Sequence, residues 1–306
     1  MPERVRITDV APRDGLQSEP RPIPTEDKAS LIEIIARTGV DEIEATSFVS
    51  PRWIPQLGDA HDLFTLLKHR DIPESVTLSA LVPNQKGMEE VYRVNAEEES
   101  LAVAKIAVFT AASETFSKRN TNASIEETLE RFAPVVKMAH EAPGGSMPVR
   151  GYVSCAVKCP YDGDVAPSRV ADVARRLIQI GVDEIDLGDT IGAGTPDTIA
   201  RVISVVRDAI GEGPTITLHL HDTFGRAADC VRAALREGVR SFDAASAGLG
   251  GCPYASTPHR RAPGNIALAT LIDVVHAEGY ETGTDADAVR AAGEAATKLL
   301  ETEASA

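Results

Sequence analysis

Eight short, β-branched runs alternate with helical stretches along this chain, and that rhythm limits what it can fold into more than any other feature. The strand candidates begin near Val5, Asp41, Thr77, Lys105, Pro148, Glu184, Thr215 and Ser241. The helices between them have readable ends. Thr25 caps a segment whose Leu31, Ile34 and Ile35 form an apolar stripe, and Gly39 stops it. Ser124 and Glu127 spell a capping box. Thr195-Pro196 opens a helix with Ile199, Val202, Ile203 and Val206 on one face and Gly211 at its end. Every parallel crossover consumes a helix, so eight such units match an α/β fold, the (β/α)8 or TIM barrel. An open doubly wound sheet is the competing arrangement. The barrel is favoured for two reasons. No glycine-rich dinucleotide turn follows the first strand, and polar residues crowd the strands' carboxyl ends: Arg13, Asp14, Glu44, Ser154, Asp189, His221, Asp222 and Ser246. In a barrel these ends meet at one mouth. The expected division is a barrel over 1–279 and, over 280–306, an alanine-rich C-terminal helix and tail packing on it.

Composition narrows the partners. The 306 residues carry 31 Lys and Arg against 46 Asp and Glu, a formal charge of -15, which repels nucleic acid and anionic membrane surfaces. An anionic ligand must then be met by local cations or by a metal. Four cysteines without paired short spacing read as reduced thiols rather than a zinc framework or a disulfide scaffold. No apolar run approaches the roughly 20 residues that span a bilayer. The stretch from Val5 to Val10 reads as a strand and not as a leader. A cytoplasmic location is expected, with no nucleic-acid or membrane partner.

The chemistry begins at His219-Leu220-His221. Side chains two apart on a strand share a face, so both imidazoles point one way while Ile216, Leu218 and Leu220 point the other. A hydrogen-bonded core pair is the plain alternative. Asp14, just after the first strand, supplies a carboxylate, and Asn265, beyond the eighth, an amide oxygen. One carboxylate, two imidazoles and one amide leave open positions for water or substrate and suit Mg²⁺, Mn²⁺ or Zn²⁺; the absence of thiolate leans towards Mg²⁺ or Mn²⁺. Arg13 adjoins Asp14 and can stabilise a developing oxyanion, a role worth ~3 kcal/mol; its alternative is a surface ion pair. A second unusual stretch, Gly248-Leu249-Gly250-Gly251-Cys252-Pro253-Tyr254, follows the eighth strand. Its glycines allow sharp bending and close approach, and Cys252 at its tip is a candidate proton donor or acceptor. Cys155, Cys159 and Cys230 read as small buried hydrophobes, the first two near enough to strand five to line the pocket.

Taken together, these segments carry a resemblance. Pro12-Arg13-Asp14-Gly15-Leu16-Gln17, Glu44-Ala45-Thr46-Ser47-Phe48-Val49-Ser50-Pro51, Arg150-Gly151-Tyr152-Val153-Ser154-Cys155, Leu187-Gly188-Asp189-Thr190-Ile191-Gly192, the His-x-His-Asp-Thr element and the Gly-Gly-Cys-Pro-Tyr loop occur in one order from about Val5 to Asn265. The set resembles the 3-hydroxy-3-methylglutaryl-CoA (HMG-CoA) lyases. The wider superfamily includes Claisen-condensing synthases, which share the Arg-Asp-Gly start and the His pair but generally lack the glycine-hinged cysteine.

The resemblance implies a divalent-metal-dependent lyase that splits HMG-CoA into acetyl-CoA and acetoacetate. It implies metal ligation by Asp14, His219, His221 and Asn265, enolate stabilisation by Arg13 and proton return by Cys252. Glu44 and Asp189 match acidic family positions that orient Arg13 or the ligands or relay the proton; paired strand-end carboxylates are the alternative. Gln17 and Tyr152 are expected to line the pocket. An acyl-CoA partner, a homodimer and a setting in leucine degradation are the family's habit.

Three departures stand out. Ser256 to Pro263 lengthen the loop between Cys252 and Asn265, Asp186 replaces a small hydroxyl residue and places an added negative charge where it can face the pocket, and Ile266-Ala267-Leu268-Ala269 follows Asn265 in place of the usual Ala-Thr-Glu-Asp. They leave open a related 3-hydroxy-3-alkylglutaryl-CoA or citramalyl-CoA lyase, a condensing acyltransferase, or a barrel that only binds CoA esters. His259, Arg260 and Arg261 put cations on the lengthened loop, where Arg260 and Arg261 can meet a substrate carboxylate or a CoA phosphate; a solvated insertion is the alternative. Lys118 and Arg119 are a second candidate phosphate contact.

Overall fold

The computed structural model describes residues 3–96, 102–250 and 264–301. All eight expected strands form, and they close into a parallel barrel in the order β1 (Arg6–Asp9), β2 (Glu42–Ser47), β3 (Thr77–Leu81), β4 (Lys105–Ala111), β5 (Val149–Ser154), β8 (Glu184–Asp189), β9 (Thr215–Leu220) and β10 (Ser241–Ala244), which returns to β1. Two short strands, β6 (Lys158–Cys159) and β7 (Gly163–Asp164), make an antiparallel pair outside it. The helices are α1 (Thr25–Ala36), α2 (Ala60–Leu67), α3 (Gln85–Ala96), α4 (Glu114–Thr121), α5 (Ile125–His140), α6 (Pro167–Gln179), α7 (Pro196–Ile210), α8 (Ala227–Arg236), α9 (Leu268–Ala277) and α10 (Ala286–Glu301). Among the described residues, no helix is long and apolar enough to cross a membrane.

Strand alternation sorts the residues into two cores. Ile7, Ile43, Ile106, Val108, Val149, Val153, Ile185, Leu187, Leu218 and Phe242 belong to the apolar cluster shared with the helices. Their neighbours in sequence fill the barrel with charge instead. Arg150 lies 2% exposed at its centre; Nη1 donates to Asp243 at 2.9 Å, Nη2 to Thr8 at 2.9 Å and to Glu42 at 3.2 Å, and Nε lies 2.8 Å from Glu184. Lys105 Nζ bridges Glu42 and Glu184 at 2.8 and 2.5 Å, and Thr217 Oγ1 donates to Glu184 at 2.6 Å. Arg150 thereby joins strands from opposite sides of the barrel, and the carboxylates around it lose their water only because it replaces that water.

The capping expectations hold at α5, where Ser124 and Glu127 bond reciprocally, and at α7, where Thr195 accepts from the Thr198 amide. Thr25 does otherwise. Pro24 stands at the N-cap of α1, and the Thr25 hydroxyl donates to Asp59 at 2.7 Å because Asp59 is already drawn in by the buried Lys28 at 2.9 Å. Gly39 (φ 81°) ends the turn after α1, and a Cβ there would strike the Gly283 carbonyl, so the residue that stops the helix also seats the segment leading to α10. α10 packs on α1 and α9, and Arg21 donates to the Leu299 carbonyl at 2.6 Å.

Replacing Arg150 by Met removes the shared cation of Glu42, Glu184 and Asp243 at similar volume. The expected loss is about 3–5 kcal/mol of stability, read as a lowered urea-unfolding midpoint in Arg150→Met.

Candidate metal centre

The site is assembled at the carboxyl ends of β1, β9 and β10. β1 runs into a π-helical turn, Ala11–Gly15, closed by the Gly15 amide on the Val10 carbonyl at 3.1 Å. Asp9 anchors this turn: its carboxylate accepts from the Ala11 amide (2.8 Å) and from the Ser246 amide and hydroxyl (3.0 and 2.7 Å). Burial pushes Asp9 up to about 6 against those donors. The turn carries Arg13 and Asp14 to the mouth. Arg13 Nε donates to Glu44 at 2.5 Å and Nη1 to Asp14 at 2.7 Å. Arg13 is 6% exposed, so the surface ion-pair alternative fails.

His219 and His221 face one another with ring centroids 5.1 Å apart. Donor atoms of Asp14, His219 and His221 lie within 4.8 Å of one another, a cluster of the size a metal ion requires. Each imidazole is fixed through Nδ1: that of His219 is 3.1 Å from Asp243 Oδ2, and that of His221 is 3.2 Å from the Asp189 carbonyl. With Nδ1–H donating to those acceptors, each Nε2 lone pair is left free to ligate, and His219 Nε2 lies 3.9 Å from Asp14.

Asn265 arrives by backbone pairing. It bridges His221, while Ile266 N donates to the Leu220 carbonyl at 2.9 Å and Asp222 N to the Gly264 carbonyl at 3.0 Å. Its Nδ2 donates to Asp14 and to the Leu249 carbonyl, both at 2.9 Å, whereas its buried Oδ1 has no hydrogen-bond partner. An orphaned amide oxygen beside a carboxylate and two oriented imidazoles fits a divalent cation. Gly250 (φ 113°) allows this closeness, because a Cβ there would sit 2.7 Å from Asn265 Nδ2.

The electrostatics suit the same occupant. Burial raises the Asp14 carboxyl, but the charges of Arg13, His219 and His221 outweigh it and hold the group well below the ordinary range. Burial and the neighbouring His219 push His221 down to about 4. Burial would lower His219 as well, yet its bond to Asp243 and the charge of Asp14 raise it.

Other expected site residues fall in several places. Glu44 is buried against Arg13, and burial raises its pKa. Asp189 accepts from the Ala193 and Gly194 amides at 3.0 and 2.7 Å, and burial pushes it up to about 6; it reaches His221 through its carbonyl rather than its carboxyl. Tyr152 lies beneath the donors, 6% exposed, with its hydroxyl 3.3 Å from Glu44 and from Asp243 and its ring edge-on to His219. Gln17 is half-buried just past the π turn. Cys155 and Cys159 are buried with Ala111 and Phe116, and Cys230 is buried, its thiol pushed up to about 12 by burial. Arg119 stacks on Tyr161 at 4.2 Å. Cys252, His259, Arg260 and Arg261 lie outside the described residues. Asp186, expected to face the pocket, is 0% exposed on the barrel's interior side, in register with Tyr152. Asp243 was missed; its signal is the alternation of Ser241-Phe242-Asp243, which turns it inward beside His219 on the adjoining strand.

Barrel and donor set define the class: a (β/α)8 protein with a candidate cation site at its mouth. The model of the HMGL-like family matches residues 4–295, and the chain belongs to that family. It is 45% identical over 291 residues to a hydroxymethylglutaryl-CoA lyase of Pseudomonas mevalonii, covering 95% of this chain and 91% of that one. It is 42% identical over 300 residues to a 3-hydroxy-3-isohexenylglutaryl-CoA/hydroxy-methylglutaryl-CoA lyase of Pseudomonas aeruginosa, covering 98% and 94%. The crystal structure of an HMG-CoA lyase from Brucella melitensis superposes with a TM-score of 0.89 at 43% identity, covering 98% of this chain and all of that one.

A histidine whose folded pKa is depressed contributes stability that is complete above its unfolded value and lost as pH falls through the folded one. For His221 that window runs from 6.5 down to about 4. Metal-free wild type is expected to lose about 3 kcal/mol more than His221→Gln across it, measured by urea unfolding at each pH. The His221 ring carbon should titrate near 4 by NMR.

Proposed function

We propose that the protein is a metal-dependent carbon–carbon lyase that cleaves HMG-CoA to acetyl-CoA and acetoacetate. The observation that carries the reading is the convergence of Asp14, His219 and His221 within 4.8 Å, beside the unpartnered Asn265 oxygen, in a chain 45% identical to such a lyase. Asp14, His219, His221 and Asn265 would hold the ion, Mg²⁺ or Mn²⁺ by their mixed oxygen and nitrogen character. When bound, that ion supplies Lewis-acid polarisation of the substrate hydroxyl and lowers its pKa.

The chain's own residues do the rest. As the tertiary hydroxyl gives up its proton to the acidic relay that the family resemblance assigns to Glu44 and Asp189, the bond between C2 and C3 breaks and its electron pair passes into the thioester as an enolate. Arg13, locked between Glu44 and Asp14, presents a fixed cation to the enolate oxygen. Cys252 returns a proton to the enolate carbon, a role taken from the family resemblance. Glu44 acts by orienting Arg13, and the Asp189 carbonyl by orienting His221. Gln17 and Tyr152 bound the substrate end of the barrel. Arg260 and Arg261 offer cations to the carboxylate or to CoA phosphate.

We assign residues 1–279 to the catalytic barrel and 280–306 to a C-terminal helix and tail packing on it. Leucine degradation, a homodimer and the cytoplasm complete the reading. A 3-hydroxy-3-alkylglutaryl-CoA substrate is the second reading, favoured by the dual substrate name of the Pseudomonas aeruginosa relative.

Purified protein with Mn²⁺ or Mg²⁺ is incubated with HMG-CoA, a longer 3-alkyl analogue and citramalyl-CoA, and acetyl-CoA release is followed. Cleavage of HMG-CoA that needs the metal and disappears in Cys252→Ala is expected; condensation of acetyl-CoA with a 2-oxo acid without cleavage would sink the lyase. Arg13→Met is expected to lower kcat by about 10²- to 10³-fold. In Arg260→Ala/Arg261→Ala, KM for the acyl-CoA should rise while kcat is held, and an unchanged KM would remove these arginines from the substrate site.

A further inference from the structure

Asp186 is an interior carboxyl without a cation of its own. It projects from β8 in register with Tyr152 on β5 and Thr217 on β9, and is 0% exposed. Neither of its oxygens receives a hydrogen bond from a fixed N–H or O–H. Arg150 Nη1 comes only to 3.6 Å, and that nitrogen already serves Asp243 at 2.9 Å. An ionised carboxylate has nothing to donate and would remain unsatisfied there. A neutral carboxylic acid carries a donor proton, and Asp243, which is drawn to the same Arg150 Nη1 at 2.9 Å while Asp186 lies 3.6 Å from it, is the neighbouring carboxylate placed to accept that proton. Charge leads to the same state. Glu42, Glu44, Glu184, Asp186 and Asp243 face only Lys105, Arg150 and Arg13 as buried cations among the described residues. Burial first, and then the adjacent Asp243 charge, drive the Asp186 pKa well above the carboxylate range.

What Asp186 touches gives it a role. Asp243 accepts from Arg150 through Oδ1, and its Oδ2 faces the Tyr152 hydroxyl and His219 Nδ1 at 3.3 and 3.1 Å. The acid proton of Asp186 adds a further fixed bond to the carboxylate that sets the His219 ring. We propose that Asp186 is a positioning residue of the metal centre, a neutral carboxylic acid whose hydrogen bond to Asp243 holds His219 with Nε2 turned towards Asp14.

This rests on the metal reading above, and the test separates the two. Infrared difference spectra of metal-free wild type minus Asp186→Asn at neutral pH should show the carbonyl stretch of a protonated carboxylic acid, moved by deuterium exchange; its absence overturns the proposal. Mn²⁺ titration of the apoprotein, followed by electron paramagnetic resonance, reads the positioning. Asp186→Asn keeps a donor and should bind within about twofold of wild type, whereas Asp186→Ala should bind about 3- to 10-fold more weakly. Wild-type affinity in Asp186→Ala, or an equal loss in Asp186→Asn, overturns the role. Wild type that takes up no Mn²⁺ overturns the metal centre and the positioning with it, while the infrared band still decides the acid. Should Asp186→Ala fail to fold, the band and the Asp186→Asn titration carry the decision.

Discussion

The structure depends on one guanidinium. Arg150 fills the axis of the barrel and holds Glu42, Glu184 and Asp243, carboxylates that belong to three other strands. An isolated charge in that interior would be ruinous, and even a matched pair does little better than well-packed hydrocarbon. What the network supplies is a fixed set of directions. Arg150 fixes Asp243, Asp243 fixes His219, and His219 faces Asp14 across the mouth. The polar interior thus extends the site downward, with each member satisfied by the next.

Orientation reaches the other donors through the backbone. His221 is held by the Asp189 carbonyl and Asn265 by its bridge to His221, so two ligand candidates share a strand end. Asp14 comes from β1, two strands away, on a π-helical turn that is itself tied to Ser246 through Asp9. Three segments far apart in sequence, which carry the four donors, are thereby locked before any ion arrives. A preorganised donor set of this kind loses little freedom on binding, which is the physical content of a site built on strand ends rather than on a loop.

Much of this was legible in the chain. Strand starts from Val5 to Ser241 emerged from β-branched runs, and the His219–His221 spacing located the donors, because strand periodicity is a local property. Capping at Ser124 and Thr195 is equally local. Thr25 was misread because its partner, Asp59, is brought close only by the buried Lys28. Asp243 and Asp186 were harder for the same reason: a charged residue on a strand ordinarily signals solvent, and here the alternation that turns it inward meets Arg150 from across the barrel. The π turn at Ala11–Gly15 has no sequence signature, and the ring at Tyr152 reads as pocket wall until its hydroxyl is seen among buried carboxylates.

An acidic protein that receives an anionic thioester needs its positive charge in one place. At the mouth, Arg13 is already shared by Glu44 and Asp14, so with neutral imidazoles the cluster carries one negative charge in excess. A carboxylate approaching it is repelled, and more so against the charge of -15 over the whole chain. A divalent cation, if Asp14 and the two histidines hold one as proposed, would reverse that sign at short range, where the buried surroundings screen it least. On the proposed reading, substrate recognition would follow metal loading: the residues that would hold the ion would also make the mouth attractive to an anion, because Arg13 is already shared by two carboxylates.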